Sequence, residues 1–291
     1  MHRYAKLSRA GMGWYNAGMS SPALRGYARA AVEAAEAAGQ LLLKHLGRPK
    51  RVATKRSAID LVTELDHASE QLIERRLRRA FPEVGFFGEE RGARGAAGDT
   101  RWIVDPLDGT NNFVHGLPIF GVSIALERRR RVLVGVIDDP TRRERFVALR
   151  GGGAWLNGRR IRVSRTPRLA QSLLSTGFPS RFLTHDEPYL GWFQATQRHS
   201  HGVRRIGSTV VSLASVAAGR LEGFYERELW PWDIAAGALL VEEAGGRASN
   251  FEGNPVVLEE GRLVATNGLI HRHLLRLLKK VSDTFPASKG V

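Results

Sequence analysis

The chain has 291 residues, 43% of them apolar and 25% charged, enough to build a substantial core in one large domain or two lobes. It contains no cysteine, which excludes disulfides, thiolate metal sites and cysteine nucleophiles, and no apolar run near the roughly 18 residues that suggest a membrane span. Its 44 Lys and Arg against 29 Asp and Glu leave a formal charge of +15, which favours encounter with anions such as phosphorylated metabolites, nucleic acid or anionic lipid.

Residues 1–21 carry Arg3, Lys6 and Arg9 and no acid. They lack the apolar core of a secretory signal and read as a disordered extension ahead of the domain. From Pro22 to about Leu46 the apolar residues Leu24, Tyr27, Ala31, Ala35, Ala38, Leu42 and Leu46 fall on one helical stripe, with Ser21 as cap and Gly47 as stop. A short strand or hairpin follows between Lys55 and Val62. Thr63 then opens a second helix running to Ala80, with Asp66 placed to complete a capping box. Val84–Glu90 reads as a strand ending in the pair Glu89 and Glu90. The glycine-rich segment Arg91–Asp99 reads as a mobile loop.

The next stretch, Arg101 to Phe113, organises the chain. An apolar strand breaks at Pro106 and carries Asp105 and Asp108 at its C-terminal end, followed by Gly109 and Thr110. Carboxylates that close together repel, and each resists ionisation unless a cation neutralises the pair. Mg²⁺ takes oxygen ligands and usually shares them with substrate phosphates, and a Gly-Thr turn at a helix start offers backbone N–H groups to an anion. Taken alone, a D-x-x-D at a strand end is more often a turn in which Asp accepts local N–H bonds.

Beyond it, Val122–Glu127, Arg131–Ile137, Arg145–Leu149 and Ala154–Leu156 read as a meander of short strands. His115, in the loop before them, carries no assigned chemistry. Ile161–Ser164, Ser172–Thr176, Val203–Ile206, Leu221–Tyr225 and Leu263–Ala265 are further strands. Helices are expected at about 187–198, 209–218, 234–244 and 269–278. Gly207-Ser208-Thr209 is a second glycine–hydroxyl turn, suited to an anion, a hydroxylated substrate or a simple N-cap. Glu226 ends a strand, and Asp233 opens a helix, where capping is the plainer reading. Strands and helices mix throughout, so the class is α/β or α+β in layers. The expected organisation is one domain over 22–282, with lobes at about 22–150 and 151–282 and a tail at 283–291.

Four motifs in this order resemble the inositol monophosphatase family. They are Asp60-Leu61-Val62-Thr63-Glu64-Leu65-Asp66, Gly88-Glu89-Glu90, Asp105-Pro106-Leu107-Asp108-Gly109-Thr110-Asn111-Asn112-Phe113, and Trp232-Asp233-Ile234-Ala235-Ala236-Gly237 with Glu243-Ala244-Gly245-Gly246 behind it. The resemblance covers about Pro22 to Leu278. It implies an αβαβα sandwich of the sugar-phosphatase type, usually a cytoplasmic homodimer, that hydrolyses phosphate monoesters with two or three Mg²⁺ ions. It implies Glu89, Asp105, the Leu107 carbonyl, Asp108 and Asp233 as metal ligands. Asp66 and Thr110 would polarise the hydroxyl that orients the attacking water, with Glu89 joining them in catalysis. The Gly109 and Thr110 N–H groups would hold the phosphate, while Glu226, Gly207, Ser208 and Lys55 would lie on the substrate side.

Asn111 stands where the family often has threonine, and Trp230-Pro231 departs from other members. Neither removes a ligand, but both leave the substrate open. The expected substrate is myo-inositol 1-phosphate, because a carboxylate at Glu226 suits a neutral polyol better than a second phosphate. Histidinol phosphate, fructose 1,6-bisphosphate or a 3′-phosphonucleotide are alternatives within the same chemistry. A nucleic-acid or ribonucleoprotein docking module is the alternative of a different class. The dispersed arginines, in short clusters such as Arg75-Arg76 and Arg128–Arg131, read as solvated surface and disfavour that docking module.

Overall fold

The computed structural model describes residues 22–48, 52–54, 61–95, 98–179 and 188–284. Helix α1 spans Pro22–His45 and buries a run of small residues, among them Ala28, Ala31, Ala35 and Ala38, so it lies close against its neighbours. Strands β1 (Val52–Thr54) and β2 (Leu61–Thr63) form a two-stranded antiparallel ribbon. Helix α2 (Glu64–Ala80) follows without a break, its N-cap Thr63 and Asp66 forming the expected capping box. Ser21 lies outside the described residues.

An eight-stranded sheet comes next. Its strands are β3 (Gly85–Gly88), β4 (Gly92–Arg94) and β5 (Thr100–Asp108), then, after the short helix α3 (Thr110–Val114), β6 (Gly121–Arg128), β7 (Arg131–Asp139), β8 (Glu144–Leu149), β9 (Gly153–Leu156) and β10 (Arg159–Arg160). Their order is β10-β9-β8-β7-β6-β5-β3-β4. Every pair is antiparallel except β3 and β5, which run parallel and so deliver their C-terminal ends side by side.

The second half contributes β11 (Leu173–Thr176), α4 (Tyr189–His199), β12 (Gly202–Arg204), α5 (Thr209–Ala217), β13 (Gly223–Glu226), α6 (Pro231–Glu243), β14 (Arg247–Ser249), β15 (Leu263–Thr266) and α7 (His271–Ser282). Five of these elements form a mixed sheet in the order β12-β11-β13-β15-β14. Helices α1 and α2 cover one face of the large sheet, α5 and α6 lie between the sheets, and α4 and α7 cover the far face of the small one. The layers are therefore αβαβα, as the resemblance implied. Helix α6 is buried almost all round because it serves both sheets at once.

Three expectations need correction. Strand β5 does not end at Pro106 but continues to Asp108, with a register shift against β6 between Asp105 and Asp108. Proline has no N–H to give the ladder, so the strand bulges there instead of stopping. The segment expected as a loop after Glu90 folds back at once as β4, pairing antiparallel with β3. Ile161–Ser164 forms no strand; Ile161 and Val163 donate backbone bonds to Ala154 and Ala244 and lie across the end of α6.

One buried group outside the site sets a pH response. His271 is 2% exposed and hydrogen-bonded to the hydroxyls of Ser249 and Thr266. Burial, and then the Arg247 charge, lowers its pKa to about 4 from 6.5. Between those values the unfolded chain takes a proton that the folded chain refuses, so this group withdraws stability as pH falls through that window. Relative to His271→Gln, the wild type is expected to lose roughly 2 kcal/mol more between pH 7 and 4.5, read by urea unfolding at each pH. Parallel curves for the two proteins would refute this.

Candidate active site

The end of β5 builds the centre. Asp105 is 1% exposed, and its Oδ1 accepts the Leu107 N–H at 2.9 Å, a bond across Pro106 that shapes the bulge. Three residues on, Asp108 projects toward the second half of the chain. Its Oδ2 accepts the Ser208 hydroxyl in a very short bond and the Val210 N–H at 3.0 Å, so it also anchors the N-terminus of α5. Asp233 arrives from the first turn of α6, where its Oδ2 accepts the Trp230 N–H at 2.6 Å. Capping is thus real for Asp233, and it leaves the other carboxylate oxygen to the site.

Ligand oxygens of Asp105, Asp108 and Asp233 lie within 4.8 Å of one another. Glu89, at the end of the parallel strand β3, stands outside that cluster of three, but its charge raises the pKa of both Asp108 and Asp233. Burial is the main cause for both. It pushes Asp108 to about 6, and burial with the Asp108 and Glu89 charges raises Asp233 well above the usual carboxylate range. Hard oxygen donors, crowded and mutually repelling, form the donor set that a divalent cation such as Mg²⁺ suits.

Around the cluster, Asp66 completes the capping box and also reaches Thr110. Its Oδ2 accepts the Thr63 N–H and hydroxyl, and its Oδ1 lies 3.1 Å from the Thr110 hydroxyl. The Thr110 proton has a second acceptor, the Leu107 carbonyl at 3.0 Å. Gly109 adopts φ 92°, and a Cβ there would lie 3.0 Å from the Ile119 carbonyl oxygen and 3.2 Å from that of Gly207, so the two glycine turns face each other closely. Helix α3 has five residues. Any anion at Gly109 and Thr110 therefore meets local N–H groups, and a helix macrodipole contributes little over so short a span.

Beside Asp108 opens a cavity of about 160 Å³, lined by Gly177, Arg205, Gly207, Ser208, Thr209 and Glu226 among others. Glu226 accepts a 3.3 Å hydrogen bond from the Thr209 hydroxyl. Burial and the Asp108 charge raise its pKa to about 8, against the opposing charge of Arg205. Ser208, expected at the substrate, gives its hydroxyl to Asp108 and caps α5 by accepting the Val211 N–H. Lys55 lies outside the described residues. Sequence reasoning missed Arg205 and Gly177, which no motif marks. It also missed Asn112, whose amide spans from the Ile119 carbonyl to the Ile206 carbonyl and joins the two glycine turns.

The inositol monophosphatase family model matches residues 24–283. The chain belongs to the inositol monophosphatase family. It is 43% identical over 251 residues to the inositol-1-monophosphatase of Mesorhizobium japonicum, covering 86% of this chain and 94% of that protein. It is 45% identical over 255 residues to the protein named Nus factor SuhB of Pseudomonas aeruginosa, with the same coverage. Among solved structures, the inositol monophosphatase of Anabaena superposes with a TM-score of 0.81 at 40% identity, over 88% of this chain and 96% of that one. Family membership makes this inositol monophosphatase relative a phosphoric monoester hydrolase, with an acidic triad able to hold a metal ion.

Proposed function

We propose that the protein hydrolyses the phosphate monoester of a polyol, with myo-inositol 1-phosphate as the first candidate. The observation that carries this reading is the convergence of Asp105, Asp108 and Asp233 within 4.8 Å, next to a cavity that ends on Glu226. Glu89, Asp105, the Leu107 carbonyl, Asp108 and Asp233 would hold two or three Mg²⁺ ions. Bound there, Mg²⁺ supplies Lewis acidity that neutralises the phosphate and the leaving oxygen.

The chain's own groups do the rest. The Gly109 and Thr110 N–H groups bind phosphate oxygens. The Thr110 hydroxyl commits its proton to Asp66 or to Leu107, so its lone pairs accept a hydrogen bond from the attacking water and aim it at phosphorus. Glu226 accepts from substrate hydroxyls, and Gly207 lines the same cavity. No covalent nucleophile takes part. Arg205 beside Glu226 offsets part of that residue's charge, so a bisphosphate is less strongly repelled than Glu226 alone implied. Lys55 at the edge of the site, a homodimer and a cytoplasmic location complete this reading.

Phosphate release from inositol 1-phosphate tests it, run with and without Mg²⁺ beside histidinol phosphate, fructose 1,6-bisphosphate and a 3′-phosphonucleotide. Preference for another substrate would discard inositol. No Mg²⁺-dependent release from any of them, by folded protein, would discard the hydrolytic reading. Gly177 gives a sharper check on the cavity, because a Cβ there would lie 2.1–2.3 Å from the Glu226 carboxylate and displace it. Gly177→Ala is expected to raise KM for the polyol phosphate about tenfold while kcat changes less than about threefold, since ground-state contacts are lost. An unchanged KM would remove Glu226 from the substrate.

A second reading rests on α7. Its outward side carries Arg272, His273, Arg276, Lys279 and Lys280, all exposed, and residues 271–282 contain no acid. Such a face suits a nucleic-acid backbone, and one relative bears the name Nus factor SuhB. RNA binding that weakens steeply with salt, and is lost in R276E/K280E, would support it. Binding unchanged in that variant would rule out this face.

A further inference from the structure

We infer that Glu70, in the middle of α2, is a positioning residue for the Glu89 carboxylate; the inference rests on the metal-site reading above. One face of α2 carries Asp66, Ser69, Glu70 and Glu74, with the first three 0% exposed and Glu74 8% exposed. Burying so many polar groups on one helix stripe costs stability unless each is used. Each meets a partner on or just after β5 or β3. Asp66 meets Thr110, Ser69 Oγ donates to the Pro106 carbonyl at 2.9 Å, Glu70 Oε2 accepts the Glu90 N–H at 2.8 Å, and Glu74 Oε2 accepts from Arg91 at 2.9 Å. The helix therefore ties down the ends of both parallel strands, β5 through Ser69 and β3 through Glu70.

The Glu70 contact fixes Glu89 from one side. The Glu89 N–H donates to the Val104 carbonyl at 3.2 Å, and the next N–H, that of Glu90, donates to Glu70. With both peptide planes held, the Glu89 side chain leaves the backbone in one direction. Gly88 makes room for this arrangement, since a Cβ on it would sit 2.2 Å from Glu70 Oε2. The carboxylate is deeply buried, and its Oε1 finds no hydrogen-bond partner among the described residues. A group serving the fold alone would do better as an apolar side chain of the same size.

That contrast supplies the test. Glu70→Met keeps the volume and removes the acceptor; Glu70→Gln keeps the acceptor and removes the charge. Mn²⁺ binding, followed by calorimetry and by the electron paramagnetic resonance of free Mn²⁺, is the readout, with thermal unfolding alongside. Glu70→Met is expected to weaken Mn²⁺ binding at least tenfold with a melting temperature at or above wild type, and Glu70→Gln to stay within threefold of wild type. In turnover, the Mg²⁺ needed for half-maximal rate rises in Glu70→Met while kcat at saturating Mg²⁺ stays within threefold. Wild-type Mn²⁺ affinity in Glu70→Met, or equal losses in Met and Gln, would overturn the inference. Should Glu70→Met not fold, Glu70→Asp, which draws the carboxylate back by one methylene, carries the same expected loss. Wild-type affinity in Glu70→Asp would overturn the inference. Failure of the wild-type protein itself to bind Mn²⁺ would instead overturn the metal-site reading, and this inference with it.

Discussion

Asp105→Asn is expected to lower kcat/KM for the phosphate monoester by at least about 10³-fold while leaving the fold intact, the scale of losing a group that stabilises developing charge in a dry site. The substitution is nearly isosteric, and Asn Oδ1 can still accept the Leu107 N–H, so the bulge at Pro106 keeps its shape. What is lost is one of three carboxylates gathered within 4.8 Å. The same change should stabilise the metal-free protein. Asp108 and Asp233 are already pushed toward protonation by burial and by neighbouring negative charge, and a neutral amide in place of a third carboxylate gathered within 4.8 Å of theirs lowers the negative charge they face. The expected pattern is a higher melting temperature than wild type without Mg²⁺, little further gain when Mg²⁺ is added, and almost no turnover. Mg²⁺-stimulated turnover within tenfold of wild type would remove Asp105 from the site.

Gly135→Val is expected to have the largest effect on stability, a loss of at least about 3 kcal/mol. Valine ordinarily favours a strand, and Gly135 lies mid-strand in β7, paired with Ala125 and Ala148. The face it presents, however, is pressed against backbone: an added Cβ would lie 2.8 Å from the Ala236 carbonyl oxygen and 3.0 Å from its Cα. Backbone within a helix cannot swing aside as a side-chain tip can, so α6 must lift from the sheet. Asp233 rides on the first turn of α6, so cation binding should weaken along with stability. Urea unfolding and Mn²⁺ binding on the same sample measure both effects. A drop in stability with wild-type Mn²⁺ affinity would mean that α6 is held in place by the small sheet alone.

The acidic centre was largely legible in the sequence because its parts are local. Asp105 and Asp108 sit in one motif, Glu89 and Asp233 in two others, and Asp66 lies three residues beyond a plausible cap. What escaped notice depends on distance in the chain. Arg205 matters because it faces Glu226, and Gly177 because it leaves space for that same carboxylate; neither has a sequence neighbour to announce it. Glu70 could have been found. It follows Asp66 by four residues, on the same face of a helix otherwise filled there by Ile73 and Leu77, and an acid on an inward stripe is a signal. The bulge at Pro106 was misread as a stop because proline does end most central strands. Here the Asp105 side chain takes up the Leu107 N–H, and pairing with β6 resumes at Asp108. Strand β14 was missed because Arg247–Ser249 is too short to show alternation.

The three clustered carboxylates are separated in the chain, two at the end of β5 and the third at the start of α6. Protein synthesis delivers them in that order, N-terminus first. A nascent chain that has finished the large sheet already displays Asp105 and Asp108 but not their partner, and α6, which packs between the sheets, is still unmade. The centre closes only when α6 slides into place. Chemical competence therefore arrives with about the last fifth of the molecule, from Pro231 on, and a chain cut short before Pro231 is expected to be an inert fragment rather than a weak hydrolase.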